Sequence, residues 1–182
     1  MAVKLPRTIR LDPSDTFVYN RAAEPGEWAV TGTFLFFGVD TGGLAGKERQ
    51  AFRAGFLGID SFGWSTLAVV TEASAEERTE AVERLSEQLV THCGAPDMDR
   101  ARAAAEEEID FAQSLCDHPP NTLLGIQRTS EGDGIREKFR TLHRNASRLE
   151  PINAFRVIEV EEEEEEMQLD DIDLHAMARE QK

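Results

Sequence analysis

The stretch SAEERTEAVERLSEQLVTHCGAPDMDRARAAAEEEIDFAQSLC, residues 74–116, decides the fold. It reads as two helices joined by a tight link. Ser74 and Glu77 form a Ser-x-x-Glu capping box that starts the first helix. Val82, Leu85, Leu89 and Cys93 then recur at steps of three and four, the stripe of a half-buried helix. Gly94 and Pro96 end it. Asp97 caps the second helix, whose stripe is Met98, Ala101, Ala105, Ile109, Ala112 and Cys116. So short a link makes the pair an antiparallel helical hairpin.

Strand signals lie on both sides of this hairpin. Residues 16–21 are aromatic and β-branched. After a turn at residues 24–27, apolar residues fall on alternate positions from Trp28 to Phe37, the period of a strand. These two runs read as a β-hairpin. Residues 46–57 read as a short helix with Ala51, Phe52 and Phe56 inward, and residues 64–71 as another strand. Beyond the helices, residues 122–129 and 135–143 flank a turn at residues 131–134, and residues 155–160 read as one more strand. The expected fold is α+β: a mostly antiparallel sheet, with the central helix pair packed on one face.

The chain has 182 residues, which suits one domain. We place that domain at residues 1–160 and an acidic tail, without compact structure of its own or marginally helical, at residues 161–182. The first residues hold no apolar run of signal-peptide length, and no segment approaches the ~18 apolar residues of a membrane span. Two cysteines do not make a disulfide framework. A cytoplasmic protein with reduced thiols is expected.

Charge is distributed unevenly. Residues 150–182 hold 12 acids against 3 bases, a net charge of -9 out of -15 for the chain, and residues 161–166 are all glutamate. An acidic chain is repelled by phosphates, so neither nucleic acid nor an anionic membrane is an expected partner. A protein partner with a basic surface is. Within the tail, Leu169, Ile172 and Met177 could anchor a short helix in a groove. One segment reverses the charge. Arg136, Lys138 and Arg140 alternate along their strand and share a face, with Arg144 and Arg148 following. The bland reading is an edge strand guarded by cations; the sharper one is an anion or partner face. The tail is close enough in sequence to screen it in cis.

Candidate chemistry is sparse. Cys116 with His118 could be a nucleophile and base, yet Cys116 keeps the register of its helix stripe, as a core cysteine would. Zinc bound by His92, Cys93, Cys116 and His118 fails on distance, because the two cysteines sit roughly 28 Å apart at opposite ends of the second helix. The glycines from Gly42 to Gly46 miss phosphate-loop spacing. Asp60-Ser61 resembles a serine elbow, but Ile59 stands where that motif needs glycine, so a turn is expected. Glu107 and Asp110 share a helix side and read as a solvated face. No cofactor or metal motif is present.

Residues 5–15, 55–66 and 115–119 resemble an uncharacterised bacterial domain family of unknown function, over residues 5 to about 143. The resemblance implies a small bacterial domain and supplies no activity. The expected role is therefore a non-enzymatic accessory or protein-interaction domain. The alternative is a small enzyme or ligand-binding domain using Cys116 and His118 or the Asp60-Ser61 turn.

Overall fold

The computed structural model describes residues 2–132 and 134–142. Strand β1, Val3–Ile9, opens the chain, and a 3-10 turn, Pro13–Phe17, follows it. Strand β2, Ala29–Val30, and two further 3-10 turns lead to helix α1, Gly46–Ala54. Strands β3, Phe56–Gly58, β4, Trp64–Ser65, and β5, Leu67–Ala73, precede the helix pair α2, Ala75–Cys93, and α3, Met98–Ser114. Strands β6, Leu123–Glu131, and β7, Gly134–Leu142, complete the described chain. The fold is α+β, with a four-stranded sheet ordered β1-β5-β6-β7 and a three-stranded sheet ordered β2-β3-β4, both antiparallel.

The helix pair forms as its caps dictate. Ser74 accepts from the Glu77 amide while the Glu77 carboxylate accepts from the Ser74 amide. Gly94 takes the left-handed conformation that ends α2, and Asp97 accepts from the Arg100 amide to start α3. Val82, Leu85 and Leu89 of α2 pack with Ala101, Ala105, Ile109 and Ala112 of α3 against Leu5, Val30, Leu57 and Ile59. Cys93 and Met98, the stripe members nearest the link, are exposed. A second cluster joins Ala68, Val70, Leu124 and Ile126 of the sheet to Leu115 and Cys116 just past α3. Arg7 of β1 lies 3.9 Å above the Trp28 ring and 3.5 Å from Glu77, which fastens the first strand to α2.

Several expected elements differ. The Trp28–Phe37 run is a strand only at Ala29 and Val30, because Gly32 has a positive φ of 75° and turns the chain into the 3-10 turn Thr33–Phe36. A Cβ there would lie 2.7 Å from the Leu57 Cβ and 2.9 Å from the Trp64 ring, so the close approach also requires glycine. Residues 16–21 are not a strand. Asp12 and Asp15 form a reciprocal capping box around Pro13, which commits that segment to a 3-10 turn. The hairpin expected there is absent, and β2 pairs with β3 instead. The helix of residues 46–57 stops at Ala54, and Phe56 and Leu57 enter β3. The run of residues 64–71 divides into β4 and β5, and β1 was not expected at all. The strand expected at residues 155–160 lies outside the described residues.

At the junction of these pieces sits Arg128 of β6, with no exposed side-chain surface. Its Nε donates to Thr33 Oγ1 at 2.7 Å and to Glu137 Oε1 at 3.2 Å. Its Nη1 donates to the carbonyls of Phe52 at 3.0 Å and Gly55 at 2.9 Å, and Nη2 to the Thr31 carbonyl. Thr33 in turn donates to Glu137. The guanidinium therefore covers the carbonyl end of α1, where partial negative charge gathers. Phe36 and Trp64 flank it at 5.7 and 6.0 Å from their ring centres. Burial lowers the Arg128 pKa and Glu137 opposes that, but an arginine stays charged inside a protein.

Glu108 of α3 is half-buried in the same electrostatic neighbourhood. Burial first, then the negative charges of Glu137 and Glu107, push its carboxyl up to about 7, against the pull of Arg128.

Two outcomes follow from this centre. Arg128→Met should cost about 3–5 kcal/mol in urea unfolding, because Glu137 and the α1 carbonyls lose their donor; a loss below about 1 kcal/mol would show that the guanidinium does not hold the junction. Glu108 binds its proton more tightly folded than unfolded. Its stabilising contribution is full below pH 4.5 and is lost as pH rises through 7. Thermal melts should therefore show stability falling between pH 5 and pH 8, and Glu108→Gln should flatten that slope and melt higher at pH 8.

Candidate functional site

Among the described residues, those singled out from sequence do not meet in one place. Cys116 is 1% exposed, one residue past Leu115 at the end of α3, and packs in the second core cluster. Burial pushes its thiol up to about 12, with Lys4 pulling weakly the other way. So protonated a thiol is a poor nucleophile at neutral pH. His118 is half-buried in the following loop, and its backbone carbonyl accepts from Lys4 Nζ at 2.7 Å. The loop is thereby bound to β1, and the Cys116-Asp-His118 segment reads as an anchored helix exit.

The Asp60-Ser61 turn is held by Glu27 and by side chains of α2. Glu27, only 6% exposed, accepts from the Ser61 hydroxyl at 2.7 Å, from the Ser61 amide, and from the Glu24 amide at 2.6 Å. Ser61 Oγ also accepts from the Gly63 amide at 3.1 Å. From α2, Gln88 donates to the carbonyls of Ile59 at 2.9 Å and Asp60 at 2.8 Å, and Arg84 pairs with Asp60 at 3.1 Å. The turn is thus a staple between the small sheet and α2. The Ser61 hydroxyl spends both its donor and an acceptor position on it, and no histidine is among these partners.

The basic strand keeps its expected alternation. Arg136, Lys138 and Arg140 lie on the face opposite Glu137, Phe139 and Thr141. Inward, Glu137 meets Arg128, and Phe139 meets Phe111 of α3 in an edge contact at 5.9 Å. Outward, Arg136 pairs with Glu131 at 3.1 Å and Arg140 donates to Gln127 at 3.3 Å. Arg144 and the tail anchors Leu169, Ile172 and Met177 lie outside the described residues. Of the helix acids, Asp110 pairs with Arg78. Among the described residues, no group of three or more His, Cys, Asp or Glu side chains is placed to hold a metal ion, and no helix is long and apolar enough to cross a membrane.

A surface that sequence reasoning missed lies at the Pro13–Phe17 turn. Asp12 accepts from the Ser14 amide at 2.8 Å, and Asp15 accepts from the amides of Leu11 at 2.9 Å and Asp12 at 3.3 Å. This closed set of bonds holds the turn while Leu11 and Phe17 at its two ends stay 65% and 73% exposed. Beside Leu11 is a cleft of about 110 Å3, lined by Ile9, Arg10, Leu11, Tyr19, Trp64 and Leu67 among others. That is well below the roughly 300–1,000 Å3 of a small-molecule pocket. Arg10 is tied to the Ala23 carbonyl at 2.9 Å. Tyr19 is buried, its hydroxyl 2.8 Å from Thr66 Oγ1, and burial raises its pKa. None of Cys116, His118, Asp60 and Ser61 lines the cleft. The available signal was Asp-Pro-Ser-Asp at residues 12–15, which marks a capped turn rather than a strand start.

Comparison with known proteins gives a family but no activity. No curated protein and no solved structure matches the chain. A family model described as a family of unknown function, DUF6505, matches residues 1–160. A match over so much of the chain settles its membership: it belongs to the DUF6505 family of unknown function.

Proposed function

We propose that this domain is a non-enzymatic accessory protein of the bacterial cytoplasm that acts by binding another protein. The observation that carries the reading is the pair Leu11 and Phe17. Two large apolar side chains project from a turn whose own hydrogen bonds fix it, so burying them on a partner costs little ordering entropy. The chain's net charge of -15 favours a partner whose surface is basic around an apolar centre. The acidic tail supplies a second contact through Leu169, Ile172 and Met177. Neither nucleic acid nor membrane fits that charge, and no cofactor is required.

The test is a pull-down with the full chain, a Leu11→Asp/Phe17→Asp variant of unchanged circular dichroism, and a chain ending at Glu159. Protein recovered by the full chain should be lost at least tenfold with the double variant and reduced with the shortened chain. Equal recovery by all three would sink the reading. Thiol labelling separates it from thiol chemistry. In the native protein Cys93, which is exposed, should react with iodoacetamide, and Cys116 only on unfolding. Rapid labelling of native Cys116 at neutral pH would instead favour an enzyme using Cys116 and His118.

A further inference from the structure

The cleft beside Leu11 has polar groups in its walls, and they are engaged within the protein. Arg10 Nη2 donates to the Ala23 carbonyl at 2.9 Å, and the Tyr19 hydroxyl lies 2.8 Å from Thr66 Oγ1. Ser65 Oγ donates to the Leu67 carbonyl at 2.7 Å, and Asp15 Oδ2 accepts from the Leu11 amide at 2.9 Å. A guest that relied on hydrogen bonds would compete with these contacts. The walls offer it apolar surface instead, from Ile9, Leu11, Ala22, Trp64 and Leu67, none of them fully buried.

Size narrows the guest further. The cleft holds about 110 Å3, and an apolar cavity of roughly 150 Å3 takes one benzene. One branched aliphatic side chain fits; a free ligand of ordinary size does not. Charge then sets what stands beside that side chain. Asp12 and Asp15 follow Leu11 in the turn, and Arg10 precedes it. Asp12 is exposed, and hydrogen bonds from Ser14 hold its carboxyl below the usual carboxylate range, so it is ionised at neutral pH. A cation on the aspartate side of Leu11 is attracted, and one on the Arg10 side is repelled.

We infer that this cleft receives one leucine or isoleucine side chain of a protein partner, with a lysine or arginine of that partner beside it over Asp12 and Asp15. The inference rests on the protein-binding reading above and names the chemistry of the partner at that site. Leu11 belongs to both surfaces: it lines the cleft, and with Phe17 it makes the exposed apolar pair. The contact is thus reciprocal. The domain presents two apolar side chains and accepts one in return, the pattern of paired anchors at the centre of an interface.

Two measurements on the full chain test this. In the first, N-acetyl-leucine methylamide is titrated into the 15N-labelled protein, with N-acetyl-glycine methylamide as the control. Amide shifts should change with the leucine probe at residues 9–11, 19–23 and 64–67, and Ala22→Leu, which fills the cleft, should abolish them. Changes no larger than those with the glycine probe overturn the inference. So does finding the same amides already shifted without a probe. If those shifts grow with protein concentration alongside a doubled mass in light scattering, the occupant is a second copy; if they vanish in the chain ending at Glu159, it is the protein's own tail. In the second measurement, Ala22→Leu of unchanged circular dichroism joins the pull-down. Partner recovery should fall at least tenfold. Full recovery by Ala22→Leu, with recovery lost for Leu11→Asp/Phe17→Asp, overturns the cleft as an anchor site and leaves the protein-binding reading standing. Full recovery by both variants overturns the two together.

Discussion

A single buried guanidinium sets the conditions for the rest of this fold. Arg128 cannot shed its charge, so its buried N–H groups need acceptors and a counter-ion. The carbonyl end of α1, the Thr31 carbonyl, Thr33 and Glu137 meet that demand together. Arg128 thereby ties the end of α1 and the turn after Val30 to β6. It also explains an acid facing the core from a strand whose outward side is basic. Hydrophobic burial gives the domain its mass, and the arginine decides how the small sheet, α1 and the β6-β7 hairpin are mutually arranged.

The parts legible from sequence are those whose causes are local. The helix pair was readable because Ser74, Glu77, Gly94 and Asp97 act within a turn or two of themselves. The β6-β7 hairpin was readable because its turn residues lie inside it. The strand at residues 28–37 was misread because its apolar alternation is genuine but serves another purpose. Phe36 stacks on Trp64 and packs edge-on against Phe52, partners supplied from elsewhere in the chain. Strand β1 was missed because Pro6, Lys4 and Arg7 dilute its pattern, and only its pairing with β5 defines it.

The sites divide along the same line. Cys116 in a helix stripe and Ser61 in a turn were readable as structural from spacing alone, and their surroundings fit that reading. Arg128 was passed over because an arginine in a polar strand end, Gln127-Arg-Thr-Ser130, carries no local sign of burial. Its environment is assembled from four other segments. Leu11 and Phe17 were overlooked for the converse reason: exposure of an apolar residue is a property of what fails to cover it, and spacing does not report that.

The reach of Arg128 also has a consequence in time. Its acceptors in α1 and the preceding loop lie 73 to 97 residues earlier in the chain. Contacts that close such large loops form late and lower the folding rate. During synthesis at about 5–20 residues per second, the Gly55 carbonyl would wait about 4–15 s for its donor to be made. Through that interval α1 has an uncovered carbonyl end, and the nascent N-terminal half holds its aromatic residues without the cation that later gathers them.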